Sequence, residues 1–83
     1  MTAKEAFEKV KAVNKGMVLL SCYELDYCFA FMFCPPEWVG EKFAKAFDAV
    51  LKETGEVGAI CYHDDFDGFD RAKKIDISQF EQP

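Results

Sequence analysis

The stretch between Gly16 and Pro35 constrains this chain most, because it holds two short apolar runs with no clean polar face. Met17-Val18-Leu19-Leu20-Ser21-Cys22-Tyr23 is β-branched, aromatic and brief. Glu24-Leu25-Asp26 breaks it, and Tyr27-Cys28-Phe29-Ala30-Phe31-Met32-Phe33-Cys34 follows. Pro35-Pro36 stops the second run, since proline cannot donate to a β-ladder. Two such runs with about three residues between them read as an antiparallel hairpin. With Glu24-Leu25-Asp26 as the loop, Tyr23 lies opposite Tyr27, Cys22 opposite Cys28, and Leu19 opposite Phe31. One face then carries Met17, Leu19, Tyr23, Tyr27, Phe29, Phe31 and Phe33. The other carries Val18, Leu20, Cys22, Cys28, Ala30, Met32 and Cys34. A slip of one residue would exchange the two sets.

An antiparallel sheet in a small domain usually leaves one face to water. Here both faces need cover, and the chain has only 83 residues. That length allows one domain, residues 1–83. It is 51% hydrophobic and 16% aromatic, with nine Phe, so a core can form without staples. The remaining question is what covers the hairpin.

One covering element is clear. Thr2-Ala3-Lys4-Glu5 fits a capping box, with Thr at the N-cap and Glu three residues on. Ala3, Ala6, Phe7, Val10 and Val13 then form one apolar stripe at helical spacing. Gly16 follows Asn14-Lys15 as a stop signal. The spacing predicts a helix over 3–14. The stretch 41–53 reads two ways. Phe43, Phe47, Val50 and Leu51 fit a helix, and Ala44, Ala46 and Ala49 favour one. Read as a strand, it turns through Thr54-Gly55-Glu56 into a further strand, Val57–Tyr62. Phe66 and Phe69 anchor an acidic loop, 63–70. Residues 71–77 read as a helical turn or an extended segment, and Ser78 to Pro83 as a frayed end. The fold expected is α+β, an N-terminal helix packed on a three- or four-stranded antiparallel sheet.

The string Val50-Leu51-Lys52-Glu53-Thr54-Gly55-Glu56-Val57 resembles a V-x-K-x-TGE-V hairpin. Small uncharacterised bacterial domains with a helix and an antiparallel meander carry it, among them immunity-protein-like domains of toxin systems. The resemblance implies strand–turn–strand over this string, with its apolar residues under the first helix. It implies no catalytic residue.

Charge excludes several functions. Asp and Glu number 15 against 10 Lys and Arg, a net charge of −5. Nucleic-acid affinity rests on neutralising phosphates, so an acidic chain without a basic cluster is a poor fit. An anionic membrane surface is disfavoured in the same way. No apolar run approaches the roughly 20 residues of a membrane helix. The N-terminus lacks the apolar core of a signal peptide. The expected location is the cytoplasm, with four reduced thiols.

Three constellations invite chemistry. The acidic loop His63-Asp64-Asp65-Phe66-Asp67-Gly68-Phe69-Asp70 resembles a calcium loop only in composition. If Gly68 were its obligatory glycine, the bidentate acid would fall on Lys74, which cannot ligate calcium. Cys22, Cys28, Cys34, Cys61 and His63 lack the paired spacing of a zinc knuckle. Cys61 and His63 are two apart on one strand, about 7 Å along it, too far for a thiol–imidazole hydrogen bond. No enzyme and no cofactor are expected.

The expected function is a non-enzymatic protein-interaction module, immunity-like by resemblance. Its candidate surface is Tyr23, Tyr27, Phe29, Phe31, Phe33 and Trp38, together with Asp64, Asp65 and Asp67. The occupant would be a second copy or another protein, and the acids would steer a basic one. The alternative is a small ligand- or metal-binding domain using Cys61, His63 and the Asp64–Asp70 loop. An ordinary intramolecular core under 41–53 is the competing account of the aromatic face.

Overall fold

The structure is a computed structural model that describes residues 1–80. Helix α1 spans Ala3–Val13. Thr2 Oγ1 accepts from the Glu5 backbone N–H, and the Glu5 carboxylate accepts from the Thr2 N–H at 2.8 Å. The capping box therefore forms as read. Strands β1 (Val18–Glu24), β2 (Cys28–Cys34), β3 (Phe47–Leu51) and β4 (Val57–Ile60) follow. A short helix α2 (Phe66–Arg71) and a last strand β5 (Lys73–Ile75) complete the order. The five strands form one antiparallel sheet in the order β4-β3-β2-β1-β5. The α+β expectation holds, with five strands rather than three or four. The fifth comes from the segment that reads as helical turn or extended. The stretch 41–53 is strand where it is regular, so tertiary pairing overrides the alanine propensity.

The hairpin register differs from the one read from sequence. Leu19 pairs with Phe33, but Ser21 pairs with Met32, so Leu20 is an extra residue in β1. This bulge reverses the faces that follow it. Cys22 pairs with Phe31 and joins the face beneath α1, while Tyr23 pairs with Ala30 and turns to the opposite face. The turn is also one residue further on. The Leu25 N–H donates to the Cys28 carbonyl at 2.9 Å, and Leu25 itself is buried rather than part of a polar break.

Each face has its own cover. On one, Leu19, Cys22, Phe29, Phe31, Phe33 and Val50 lie under Ala6, Phe7 and Val10 of α1. Phe80 closes the same core, its ring stacked on Phe7 at 4.9 Å. Phe80 is thus a core residue and not a frayed one; the expectation for 81–83 lies outside the described residues. On the other face, Cys28, Ala30 and Ala49 lie under Leu25 and Phe69, with Tyr23, Phe47 and Ile60 at the border. Phe69 anchors the acidic segment there, while Phe66 stays exposed. Fully burying a Phe contributes roughly 1.5–3 kcal/mol, so the aromatic row dominates the first core. The cover that the hairpin demands comes from the chain's own α1, α2 and C-terminal turn.

Candidate functional site

The residues expected to form one surface are distributed over three environments. Phe29, Phe31 and Phe33 are at most 3% exposed, beneath α1 and Phe80. For these three, the intramolecular core is the arrangement observed, and they offer nothing to a partner. Tyr23 packs edge-on against Phe47 and Phe69 on the opposite face. Trp38 is exposed beside Phe43, in the loop after β2. That leaves Tyr27 and the acids.

Tyr27 and Asp64 converge on a groove of about 370 Å³. Its floor is Cys28, Ala49, Gly58 and Leu51, on the sheet face shared with α2. Glu56 and Asp64 stand on its rim. Tyr27 forms one wall, held by a hydrogen bond from its hydroxyl to Asp65 Oδ2 at 2.8 Å. Asp65 in turn caps α2, accepting the Gly68 N–H on Oδ1 at 2.9 Å. Asp67 is exposed and outside the groove. Gly58 makes the hollow. It has no side chain on that face, and a Cβ placed there would meet nothing within 4 Å. A glycine inside a strand often marks a close approach by another backbone or a ligand.

The groove runs along the free edge of β4. The Leu51 N–H donates to Glu56 O at 2.9 Å, which sets the phase of the β3–β4 ladder. With Ala49 opposite Gly58 and Phe47 opposite Ile60, these residues bond inward to β3. The Lys52 N–H bonding to Tyr27 O on the β2 side gives the same phase. The N–H and C=O groups of Val57 and Ala59 therefore point outward, away from β3. The next outward donor, the Cys61 N–H, is taken by Asp64 Oδ2 at 2.8 Å. Asp64 thus ends the free edge at one side of the groove.

The two edges of the sheet differ in chemistry. At the β5 edge stand Lys73 and Lys74, both exposed. Lysines on an edge strand oppose pairing with another chain. The β4 edge reads Val57-Gly58-Ala59-Ile60 and carries no charge. Val57 is 44% exposed, and Gly58 and Ala59 are open as well. Sequence reasoning placed this strand but gave it no role. The signal was there, as an uncharged strand with a central glycine.

The residues of the alternative site do not gather around one metal position. Cys61 is half-buried and His63 exposed, in a second hollow with Met32, Phe43 and Phe47. Among the described residues, no three His, Cys, Asp or Glu side chains gather so as to hold a metal ion. All four thiols are free. Burial pushes the Cys22 thiol up to about 12 and also raises Cys28, which is the reverse of an activated nucleophile. Among the described residues, no buried side-chain nitrogen or oxygen lacks a partner, so no orphaned polar atom marks a ligand inside the core. No helix among them is long and apolar enough to cross a membrane.

Comparison with known proteins returns no match to a family model, to a curated sequence or to a solved structure.

Proposed function

We propose that this chain is a non-enzymatic protein-interaction module that takes an extended segment of another chain onto the free edge of β4. One observation carries the reading: the outward backbone groups of Val57 and Ala59 border an apolar groove floored by Gly58, on the one edge that no lysine guards. Strand addition draws affinity from main-chain hydrogen bonds and specificity from pockets for alternate side chains. The β4 edge offers both elements side by side. The acidic rim would steer a basic partner, in keeping with the immunity-like reading of the sequence.

Site-specific photo-crosslinking tests this reading. A photoreactive residue placed at Ala59, or at Lys74 on the opposite edge, is activated in cells that make the chain. The reading expects one discrete adduct from Ala59, none from Lys74, and loss of the Ala59 adduct on adding Gly58→Leu. Leucine there fills the groove without meeting another atom at its Cβ. Equal adducts from both edges, or an adduct indifferent to Gly58→Leu, would overturn it.

A further inference from the structure

Resting on that reading, we infer that the occupant of the β4 edge is an extended segment with the alternating pattern basic–x–apolar–x–basic, rather than a second copy of this chain. The register of β4 fixes the pattern. A strand bonded to Val57 and Ala59 places one residue directly opposite Gly58. That residue projects to the same face as Gly58, because paired residues share a face. There it lies over Cys28, Ala49 and Leu51, an apolar floor lacking a side chain from the strand above it. An apolar side chain on the incoming strand fills that gap.

The residues two before and two after it point to the same face, since strand side chains alternate. On one side they meet Glu56, which stands opposite Leu51 on the rim. On the other they pass Ile60 and reach Asp64, whose carboxylate sits at the end of the free edge on the Cys61 N–H. No Lys or Arg lines this groove. In the adjoining hollow, which shares Tyr27 and Leu51, Glu53 adds an acid, while Asp26 lies 3.9 Å from Arg71. The one cation there, Lys52, is 2.8 Å from Glu24. The carboxylates of the groove are therefore left to the occupant. The pattern reads the same in both directions, so it holds for parallel and antiparallel addition.

A second copy suits the edge less well. Centred on Gly58, a two-fold pairing of β4 strands would set Gly58 opposite Gly58 and leave both grooves unfilled; centred on Ala59, it would lay Ile60 over Gly58 but, with no Lys or Arg on β4, leave Glu56 and Asp64 uncompensated. Either would also bring a second chain of net charge −5 against the first.

Two synthetic peptides test the inference: acetyl-Thr-Lys-Thr-Phe-Thr-Lys-Thr-amide, and the same peptide with Glu for both Lys. Amide exchange of the full chain is followed residue by residue, alongside its sedimentation. The inference expects the Lys peptide to slow exchange at Val57 and Ala59 by about tenfold or more at saturation. The effect should weaken above about 0.15 M salt, and should vanish when Phe and the two Thr flanking it are N-methylated, which removes the ladder donors for either strand direction. The Glu peptide should do nothing. Equal slowing by both peptides overturns the basic pattern but leaves strand addition standing. Slow exchange at Val57 and Ala59 in a sedimenting dimer, without peptide, also overturns the inference and leaves the edge as an interface. Fast exchange at both residues, with the Lys peptide perturbing only Glu56 and Asp64, overturns the inference by showing charge attraction without strand addition.

Discussion

Tyr27 and Asp65 share a hydrogen bond of 2.8 Å that joins the β1–β2 turn to the first turn of α2. One carboxylate thereby does two things: Oδ2 holds the wall of the groove and Oδ1 caps the helix. The pair also records itself in the titration of both groups. Burial, and then the hydrogen bond to Asp65, push the Tyr27 phenol up to about 12. The Tyr27 bond, and then the Gly68 N–H, hold the Asp65 carboxyl below its usual range.

The signs of these shifts predict two arms of a stability profile. A carboxyl depressed in the folded state stabilises the fold above its unfolded pKa, about 3.9, and that contribution is lost as pH falls through the folded value. A phenol raised in the folded state stabilises it below about pH 10, and that contribution is lost as pH rises towards 12. Asp65→Asn should therefore flatten the acid arm of Tm against pH. Tyr27→Phe should flatten both arms, and Asp65→Asn should bring the Tyr27 phenolate absorbance transition down towards 10. An unchanged phenolate transition in Asp65→Asn would show that the Asp65 charge contributes nothing to the raised phenol.

Phe80 makes the C-terminal turn part of the first core. Phe80→Ala should cost about 3 kcal/mol, the lower end for a buried Phe, and lower Tm by more than roughly 10 °C in a chain of this size. Thermal unfolding followed by circular dichroism measures it. A loss below ~1 kcal/mol would place the 77–80 segment outside the core.

Much of this fold was readable because local signals and the global fold agree. Thr2 and Glu5 mark the start of α1, and the Ala6-Phe7-Val10 stripe marks its buried side. Three features were not readable, each for a physical reason. The bulge at Leu20 has no composition signal, since Leu19, Leu20 and Ser21 would fit either register, yet it exchanges the faces of Cys22 and Tyr23. Ala44, Ala46 and Ala49 suit a helix in isolation, and only the ladder to Cys28–Phe31 makes residues 47–51 a strand. Phe80 is a lone aromatic in a polar tail, with no periodicity to announce its contact with Phe7. The candidate site was half legible. Tyr27 and Asp64 line one groove, but the role proposed for Gly58 depends on which edge of the sheet β4 occupies.

The thiols should divide in native protein. Cys22, Cys28 and Cys34 are buried, and Cys61 is half-buried. A disulfide reagent added to the folded chain should modify Cys61 first, with the other three following only at the rate of unfolding. Rapid modification of two or more thiols at neutral pH would contradict the burial of the core.

The cap of α1 is worth a separate test, because it sits far from the groove. Thr2→Ala should cost about 1 kcal/mol while leaving peptide binding at β4 unchanged. Unfolding in urea and a binding titration with the Lys peptide read the two effects apart. A weaker affinity in Thr2→Ala at full folding would mean that the edge depends on α1.

The central claim concerns which backbone groups of β4 are open. Residue-resolved amide exchange on the free chain tests it most directly. The account predicts that Gly58 and Ile60 are protected by β3, while Val57 and Ala59 between them exchange freely until the Lys peptide is added. Protection at all four residues in the free monomer, or no change at Val57 and Ala59 with saturating peptide, would contradict it.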